Sequence, residues 1–296
     1  MKVRDALREG GAALSGSETP FLDASLLLAD ALATDRTSLL ASGPESVGEG
    51  PLARYRALIA SRSAGLPLAY IVGYKEFWGR RFAVDERALV PRPDTETLVA
   101  AALELGDIVA REGSTGSALR ERVFRVHEPC CGSGCVAISV AADRPSWAVS
   151  ASDLSEAALE VARGNEASLL EADRPGGPLA FAQGDLLSGA GESFDLIVAN
   201  PPYVPSAEAE ALLSLGWSEP RMALDGGADG LGLIRRLVPA AVRALAPGGA
   251  LLVEADGDQA AEVADLFRAS RFADIEVRRD FGGKARVTSG RKPWTP

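Results

Sequence analysis

The sequence predicts an α/β protein, a doubly wound sheet with a small helical unit and a β-hairpin ahead of it. Three observations carry this reading. From Arg122 onward, short apolar runs alternate with segments of helical spacing, the order of a doubly wound domain. Residues 1–68 show helical patterning only, and Tyr70 to Pro93 is rich in aromatic and β-branched residues punctuated by Gly73 and Gly79. The expected boundaries are a helical domain over 1–69, a hairpin linker over 70–93 and the α/β domain over 94–296.

Composition narrows the function. A chain of 296 residues with 47% hydrophobic residues can bury a full core. A formal net charge of -10 argues against binding nucleic acid chiefly by neutralising phosphates. Charges are scattered through Met1 to Glu9, so that stretch is no secretory signal, and the run Leu26 to Ala29 is broken by Asp30, far too short to span a bilayer. A cytoplasmic protein without a membrane partner is expected. Cys130, Cys131 and Cys135 are clustered and odd in number, which is no disulfide framework. His127 is the one histidine, which nearly excludes a His-dependent triad or multi-histidine metal site, and the chemistry is expected to rest on carboxylates, amides, backbone groups or a cofactor.

The elements follow in order. Thr19-Pro20 leads into Phe21, Ala24, Leu27, Leu28 and Ala31, one apolar helical face, and Leu52 to Ile59 forms a second behind the break at Ser42 to Pro51. No convergent polar groups occur there, so this unit reads as packing or docking rather than catalytic. Glu76 to Val84 reads as a hairpin, and Pro91-Arg92-Pro93-Asp94-Thr95-Glu96 as a helix start that Asp94 or Thr95 would cap. The alternation then runs through a strand at Val123 to Val126, a loop at Glu128 to Gly134, a helix at Val136 to Ala142, a strand at Trp147 to Ala151 ending at Asp153, and a helix at Ser155 to Glu166. Leu179 to Ala182 leads to Gly184-Asp185, and Leu196 to Ala199 to Asn200. A helix at Gly232 to Leu245, a strand at Ala250 to Glu254, a helix at Gln259 to Ser270 and strands at Ile275 to Arg278 and Ala285 to Thr288 complete it.

Two constellations carry chemistry. Gly132-Ser133-Gly134 lies between a strand and a helix, with Asp153 at the end of the next strand, where an acid can grip ribose hydroxyls. Glu128 and Asp185 add carboxylates at the same sheet edge, an arrangement suited to a cationic ligand such as a sulfonium. The second is Asn200-Pro201-Pro202-Tyr203. Proline cannot donate to a ladder, so the pair ends the strand and leaves Asn200 at its carboxyl end. An amide nitrogen is a poor nucleophile; if the Asn200 side-chain oxygen and the Pro201 carbonyl each accept one N–H of a substrate NH2, its lone pair faces the donor, with Tyr203 stacked on the planar group.

At these residues the chain resembles class I S-adenosylmethionine-dependent methyltransferases with a Rossmann-like domain, and Asn200-Pro201-Pro202-Tyr203 matches the motif of those that methylate planar nitrogens. Leu66 to Ile71, Glu76-Phe77-Trp78-Gly79, Val90 to Glu96, Ala223-Leu224-Asp225-Gly226-Gly227, Asp229-Gly230-Leu231 and Val277 to Asp280 resemble the HemK/PrmC family of protein-(glutamine-N5) methyltransferases, which act on peptide-chain release factors. The resemblance implies a catalytic set of Asn200, Pro201 and Tyr203, with the helical domain docking the substrate. It implies an S-adenosyl-L-methionine site of Glu128, Cys130, Cys131, Gly132, Ser133, Gly134, Asp153, Asp185, Leu186 and Asn200, and a substrate site of Asn200, Pro201, Pro202, Tyr203, Phe77, Arg92 and Pro93, with Phe77 read equally as hairpin core. A monomer without direct nucleic-acid binding, acting on a release factor, is expected.

The chain departs from the family at two places. Glu128-Pro129-Cys130-Cys131-Gly132 stands where the family has Asp-Leu-Gly-Thr-Gly, so Cys130 replaces a glycine and a negative φ or a shifted loop is expected there; Val253 to Gly257 differs from the usual Glu-Ile-Gly. His127 with the three cysteines fits none of the usual zinc spacings, and small buried thiols with no metal are expected. The competing readings are a family paralogue acting on another amide or peptide, a nucleobase N-methyltransferase, and a cofactor-binding docking protein without activity.

Overall fold

The computed structural model describes residues 1–42, 45–113, 123–189 and 193–294. Two compact units emerge, Met1–Tyr74 with Leu215–Ser218, and Lys75–Ser214 with Glu219–Pro296. The hairpin expected as a linker falls within the second unit from Lys75 onward. Gly43 and Pro44 of the predicted break, and Arg122, lie outside the described residues.

The first unit comprises α1 (Val3–Ala13), α2 (Pro20–Ala31), α3 (Arg36–Ser42), α4 (Glu49–Ser63) and α5 (Leu68–Val72). Pro20 opens α2, where its missing N–H costs nothing. The predicted apolar face is buried at Ala24, Leu27, Leu28 and Ala31, packing with Leu7, Leu14, Tyr55 and Ile59. Gly10 lets α1 approach α4, since a Cβ there would lie 1.9 Å from the Tyr55 hydroxyl. That hydroxyl donates to the Ala6 carbonyl at 3.2 Å. Phe21, by contrast, is 54% exposed although it continues the helical spacing.

The second unit opens with β1 (Tyr74–Phe77) and β2 (Arg80–Ala83), joined across Trp78 and Gly79, both at positive φ as a two-residue hairpin turn requires. A 3-10 turn over Pro93–Thr95 precedes α6 (Glu96–Gly113). Neither Asp94 nor Thr95 caps this start. The Thr95 hydroxyl donates instead to Glu254, and Glu96 accepts the Trp78 backbone N–H at 2.8 Å. Tertiary partners have taken over side chains that local sequence assigns to a cap.

The remaining elements are β3 (Arg125–Pro129), α7 (Cys135–Asp143), β4 (Ala148–Asp153), α8 (Glu156–Leu169), β5 (Ala180–Gln183), β6 (Phe194–Ala199), α9 (Ser206–Ser214), α10 (Arg221–Leu224), α11 (Gly232–Ala244), β7 (Leu245–Glu254), α12 (Ala260–Ala269), β8 (Ala273–Arg279) and β9 (Ala285–Arg291). The sheet order is β5-β4-β3-β6-β7-β9-β8. The first five strands run parallel. β9 lies antiparallel between β7 and β8 because only a short turn separates the last two strands, leaving no chain for a crossover. β3 starts at Arg125 rather than Val123, which puts Glu128 inside the strand. α9 and α10 are additions to the expected order.

Helices cover both faces. Leu98, Val99, Val136, Ile138 and Leu159 pack on one side, and Ile234, Leu237, Val238, Val263 and Phe267 on the other. β6 feeds both, Leu196 and Val198 to the first and Ile197 and Ala199 to the second, and every residue of it is buried. Gly106 lets α6 settle on the sheet, since a Cβ there would lie 2.4 Å from the Trp147 ring.

The loop leaving β6 is held by the glycine-rich segment at 225–232. Val204 N–H donates to the Leu224 carbonyl at 3.0 Å, Gly226 N–H to the Val204 carbonyl at 2.8 Å, and Ser206 N–H to the Gly227 carbonyl at 2.8 Å. Gln259 Nε2 donates to the Tyr203 carbonyl at 2.9 Å. Two glycines make room for this: a Cβ on Gly226 would lie 2.7 Å from the Pro202 carbonyl oxygen, and one on Gly230, at φ 78°, 2.1 Å from that of Tyr203. Backbone cannot yield as a flexible side chain can. Gly230→Ala is therefore expected to cost about 3 kcal/mol, from left-handed strain plus overpacking, read as a lower urea midpoint with an unchanged slope.

Candidate active site

The chain winds outward in opposite directions from β3 and β6, so the carboxyl ends of these neighbouring strands leave the crevice where open α/β sheets bind ligands. A cleft of about 370 Å³, its open mouth included, lies there. Its floor comes from the end of β3 and the loop after it, and its wall from Leu89 to Arg92, Thr95 and Asn200.

Glu128 is buried at the end of β3, and its Oε2 accepts the Ala137 N–H in the first turn of α7 at 2.7 Å. Burial raises its pKa well above the ordinary value and the nearby Asp153 charge adds to this, while the Ala137 N–H opposes them. Asp153, at the end of β4, accepts the Gly132 N–H at 2.9 Å and the Ser155 N–H at 2.9 Å. It too is raised, by burial. Between the two acids the loop takes left-handed geometry at Gly132 and Gly134, and a Cβ on Gly134 would meet Ile138 and Ala162 at 3.0 and 3.1 Å.

Cys130 also stands in the left-handed region, at φ 58°, so the expected negative φ does not occur. A residue with a Cβ keeps a backbone shape that glycine takes without strain, at a cost of about 1 kcal/mol. All three cysteines carry free thiols, and burial pushes that of Cys130 up to about 12, so they are neutral at ordinary pH.

Asn200 follows the last residue of β6. Its Nδ2 donates to the Thr95 hydroxyl at 3.2 Å, and Thr95 Oγ1 donates to Oε1 of Glu254, the last residue of β7, at 3.0 Å. Burial raises Glu254 to about 7. Pro201 is buried, Pro202 and Tyr203 are half-buried, and burial raises the Tyr203 hydroxyl, which stays neutral. Arg92 donates to Glu219, a buried carboxylate whose other oxygen accepts the Val90 N–H at 2.8 Å.

Of the residues singled out in the sequence, Glu128, Cys130, Cys131, Gly132, Ser133, Arg92 and Asn200 line the cleft together. Gly134 and Asp153 stand behind its floor through the contacts above, and Pro201, Pro202 and Tyr203 continue from Asn200. The others lie elsewhere. Phe77 is in the core with its ring edge on Phe82, 5.9 Å between centroids, because its side of the hairpin faces inward. Pro93 starts the 3-10 turn outside the lining. Asp185 pairs with Arg236, which offsets its charge, and Leu186 packs in the core while its carbonyl accepts the Ser152 hydroxyl.

Sequence reading passed over Cys135, Val136, Leu89 and Val90 as lining residues, and Glu219 and Glu254 as buried carboxylates. Glu254 carried a usable signal, a lone acid at the carboxyl end of an apolar strand, as at Glu128. Glu219 carried none, since an acid in a polar loop is ordinarily exposed.

Residues 5–73 match the PrmC N-terminal domain family, and residues 117–215 the methyltransferase small domain family. Among solved structures, the chain is similar to the human methyltransferase 10 domain containing protein, with a TM-score of 0.51 and 12% identity, covering 82% of this chain and 98% of that one. It is likewise similar to the hMettl16 catalytic domain crystallised with an RNA hairpin, with a TM-score of 0.53 and 12% identity, covering 81% of this chain and 82% of that one. Both likenesses concern the fold, that of class I methyltransferases. A release factor glutamine methyltransferase of Burkholderia pseudomallei is 40% identical, over 95% of this chain and 95% of its own length. The one of Bradyrhizobium diazoefficiens is 41% identical over 92% and 88%, and the one of Deinococcus radiodurans 38% identical over 99% of each. With relatives of that identity along nearly its whole length, the chain belongs to the release factor glutamine methyltransferase family.

Proposed function

We propose that this protein transfers a methyl group from S-adenosyl-L-methionine to the N5 amide nitrogen of a glutamine, in the Gly-Gly-Gln motif of a peptide-chain release factor. The observation that carries the reading is the Asn200 amide, tethered through its nitrogen to Thr95 at the mouth of a cleft floored by a nucleoside-type glycine loop. S-adenosyl-L-methionine would supply an electrophilic methyl on a sulfonium. The residues present suit such a donor: Glu128 is a buried carboxylate beside the cleft, matched to a cationic ligand, and Asp153 stands at the next strand end, where ribose hydroxyls are bound.

The chain's own groups do the rest by orientation. Asn200 Oδ1 accepts one N–H of the substrate amide and the Pro201 carbonyl the other, which turns the nitrogen lone pair toward the methyl. Neutral Tyr203 offers a ring face to the planar amide. The donor would supply the methyl and take the electron pair of its C–S bond as a neutral thioether, while the amide held by Asn200 and Pro201 would give up one proton to water. No side-chain base is needed, consistent with His127 being buried in the sheet and held near 4 by that burial. The first helical unit, Met1 to Tyr74, serves to dock the protein substrate; its match to the PrmC N-terminal domain family supports this.

Mass spectrometry of a Gly-Gly-Gln release-factor peptide incubated with enzyme and donor is expected to show one added methyl on glutamine; methyl appearing only in nucleic acid would refute the reading. Asn200→Ala is expected to lower kcat by about 10²- to 10³-fold while calorimetry finds donor affinity retained. Glu128 yields a pH test. A bound cation favours its ionised form, so its raised pKa falls on binding; donor affinity rises with pH up to the free-state pKa and is flat above it. Glu128→Gln is expected to weaken binding by about tenfold or more and to abolish this pH dependence.

A further inference from the structure

The family reading assigns Asn200 an acceptor role and leaves open what keeps its amide the right way round. An amide has a donor end and an acceptor end of nearly equal shape, and rotation by half a turn would face the substrate NH2 with another NH2. Thr95 is buried at the end of the 3-10 turn, 2% exposed, and its hydroxyl has one proton to give. That proton goes to Glu254 Oε1 at 3.0 Å, so the hydroxyl oxygen can only accept from Asn200, and it does, from Nδ2 at 3.2 Å. Glu254 is fully buried, and its second oxygen has no hydrogen bond among the described residues. A buried, half-satisfied carboxylate is destabilising and needs a reason to persist.

We propose, resting on the function given above, that Glu254 and Thr95 are positioning residues: the ionised carboxylate claims the Thr95 proton, which forces Asn200 to turn its nitrogen to Thr95 and its oxygen to the substrate. Position supports the relay. Ala199 pairs with Val253 in the parallel register of β6 and β7, so Asn200 and Glu254 leave adjacent strands side by side. When Glu254 is neutral, the Thr95 proton is released from it and can be donated to Asn200 Oδ1, and the amide is free to turn over.

The relay responds to pH. The groups facing Glu254 are Asp94 and Thr95 from the 3-10 turn, Tyr203 from the loop after β6, Cys135 from the start of α7, and Arg286 from β9. Arg286 is itself shared with Asp94 at 3.0 Å and Asp280 at 3.3 Å. Burial outweighs its help and leaves Glu254 titrating at about 7. The lock therefore holds above that pH and opens below it.

Steady-state kinetics on a Gly-Gly-Gln release-factor peptide, with donor affinity measured by calorimetry, tests the proposal. Wild-type kcat is expected to fall as pH drops through about 7. Thr95→Val is expected to lower kcat by about 10²-fold with KM and donor affinity within about threefold, and Thr95→Ser to restore kcat to within about threefold of wild type. Glu254→Gln is expected to lower kcat and to flatten the acid limb. Equal losses in Thr95→Val and Thr95→Ser, or an acid limb that survives in Glu254→Gln, would overturn it. A second readout needs no turnover: the Asn200 side-chain amide in 15N NMR, identified by its loss in Asn200→Ala, is expected to titrate near 7 in wild type and not in Glu254→Gln. Absence of that titration overturns the relay, whereas titration with no transfer to glutamine overturns the functional reading and leaves the relay standing.

Discussion

Asn200 emerges from β6, a strand buried along its whole length, and is followed at once by two residues that lack an N–H. The strand therefore stops and leaves one amide at its carboxyl end, lining the cleft. Most of what surrounds this point holds it still. Gly226 and Gly230 bring backbone against backbone, Gln259 ties down the Tyr203 carbonyl, and Thr95 holds the Asn200 nitrogen. A reaction that depends on orientation rather than on acid or base strength needs its acceptors fixed to a fraction of an ångström.

The carboxylates around the sheet edge differ in what surrounds them more than in what they are. Glu128 and Glu254 are desolvated, and burial dominates both. Asp153 is bonded to two backbone N–H groups and still raised by burial. Asp185 is half exposed with Arg236 beside it, an ordinary surface pair. Four acids at strand or loop ends thus divide into one lining the cleft, one bracing the glycine loop, one braced against Thr95, and one solvated. The Cys130 backbone belongs with these local costs: its left-handed φ is retained because Pro129 before it is paired in the sheet with Ser152, and after it Cys131 N–H donates to the Ser152 carbonyl at 3.1 Å and Gly132 N–H to Asp153.

Several motif residues have partners that the motifs do not state. Phe77, Arg92, Thr95 and Asp185 were read from short motifs, and a motif states which residues are neighbours in the chain without stating what faces them. Phe77 found Phe82 and the core, Arg92 found Glu219 more than a hundred residues downstream, Thr95 found Glu254 at the end of β7, and Asp185 found Arg236 on α11. The partners of Arg92, Thr95 and Asp185 come from distant parts of the sequence, and no periodicity or capping rule could supply them.

The sequence by itself determined the alternation of strands and helices, the end of β6 at Asn200, the glycine loop after β3, the acids at strand ends, and the family. These are written in apolar periodicity, in proline's missing donor and in glycine's freedom at positive φ, all of which act within a few residues. The tertiary structure alone decided that β9 lies antiparallel between β7 and β8, that Glu219 and Glu254 are buried, and which way the Asn200 amide faces. That last decision rests on one proton of Thr95 and one carboxylate of β7, brought together only when the sheet closes, because hydrogen-bond direction is set by the partners in space.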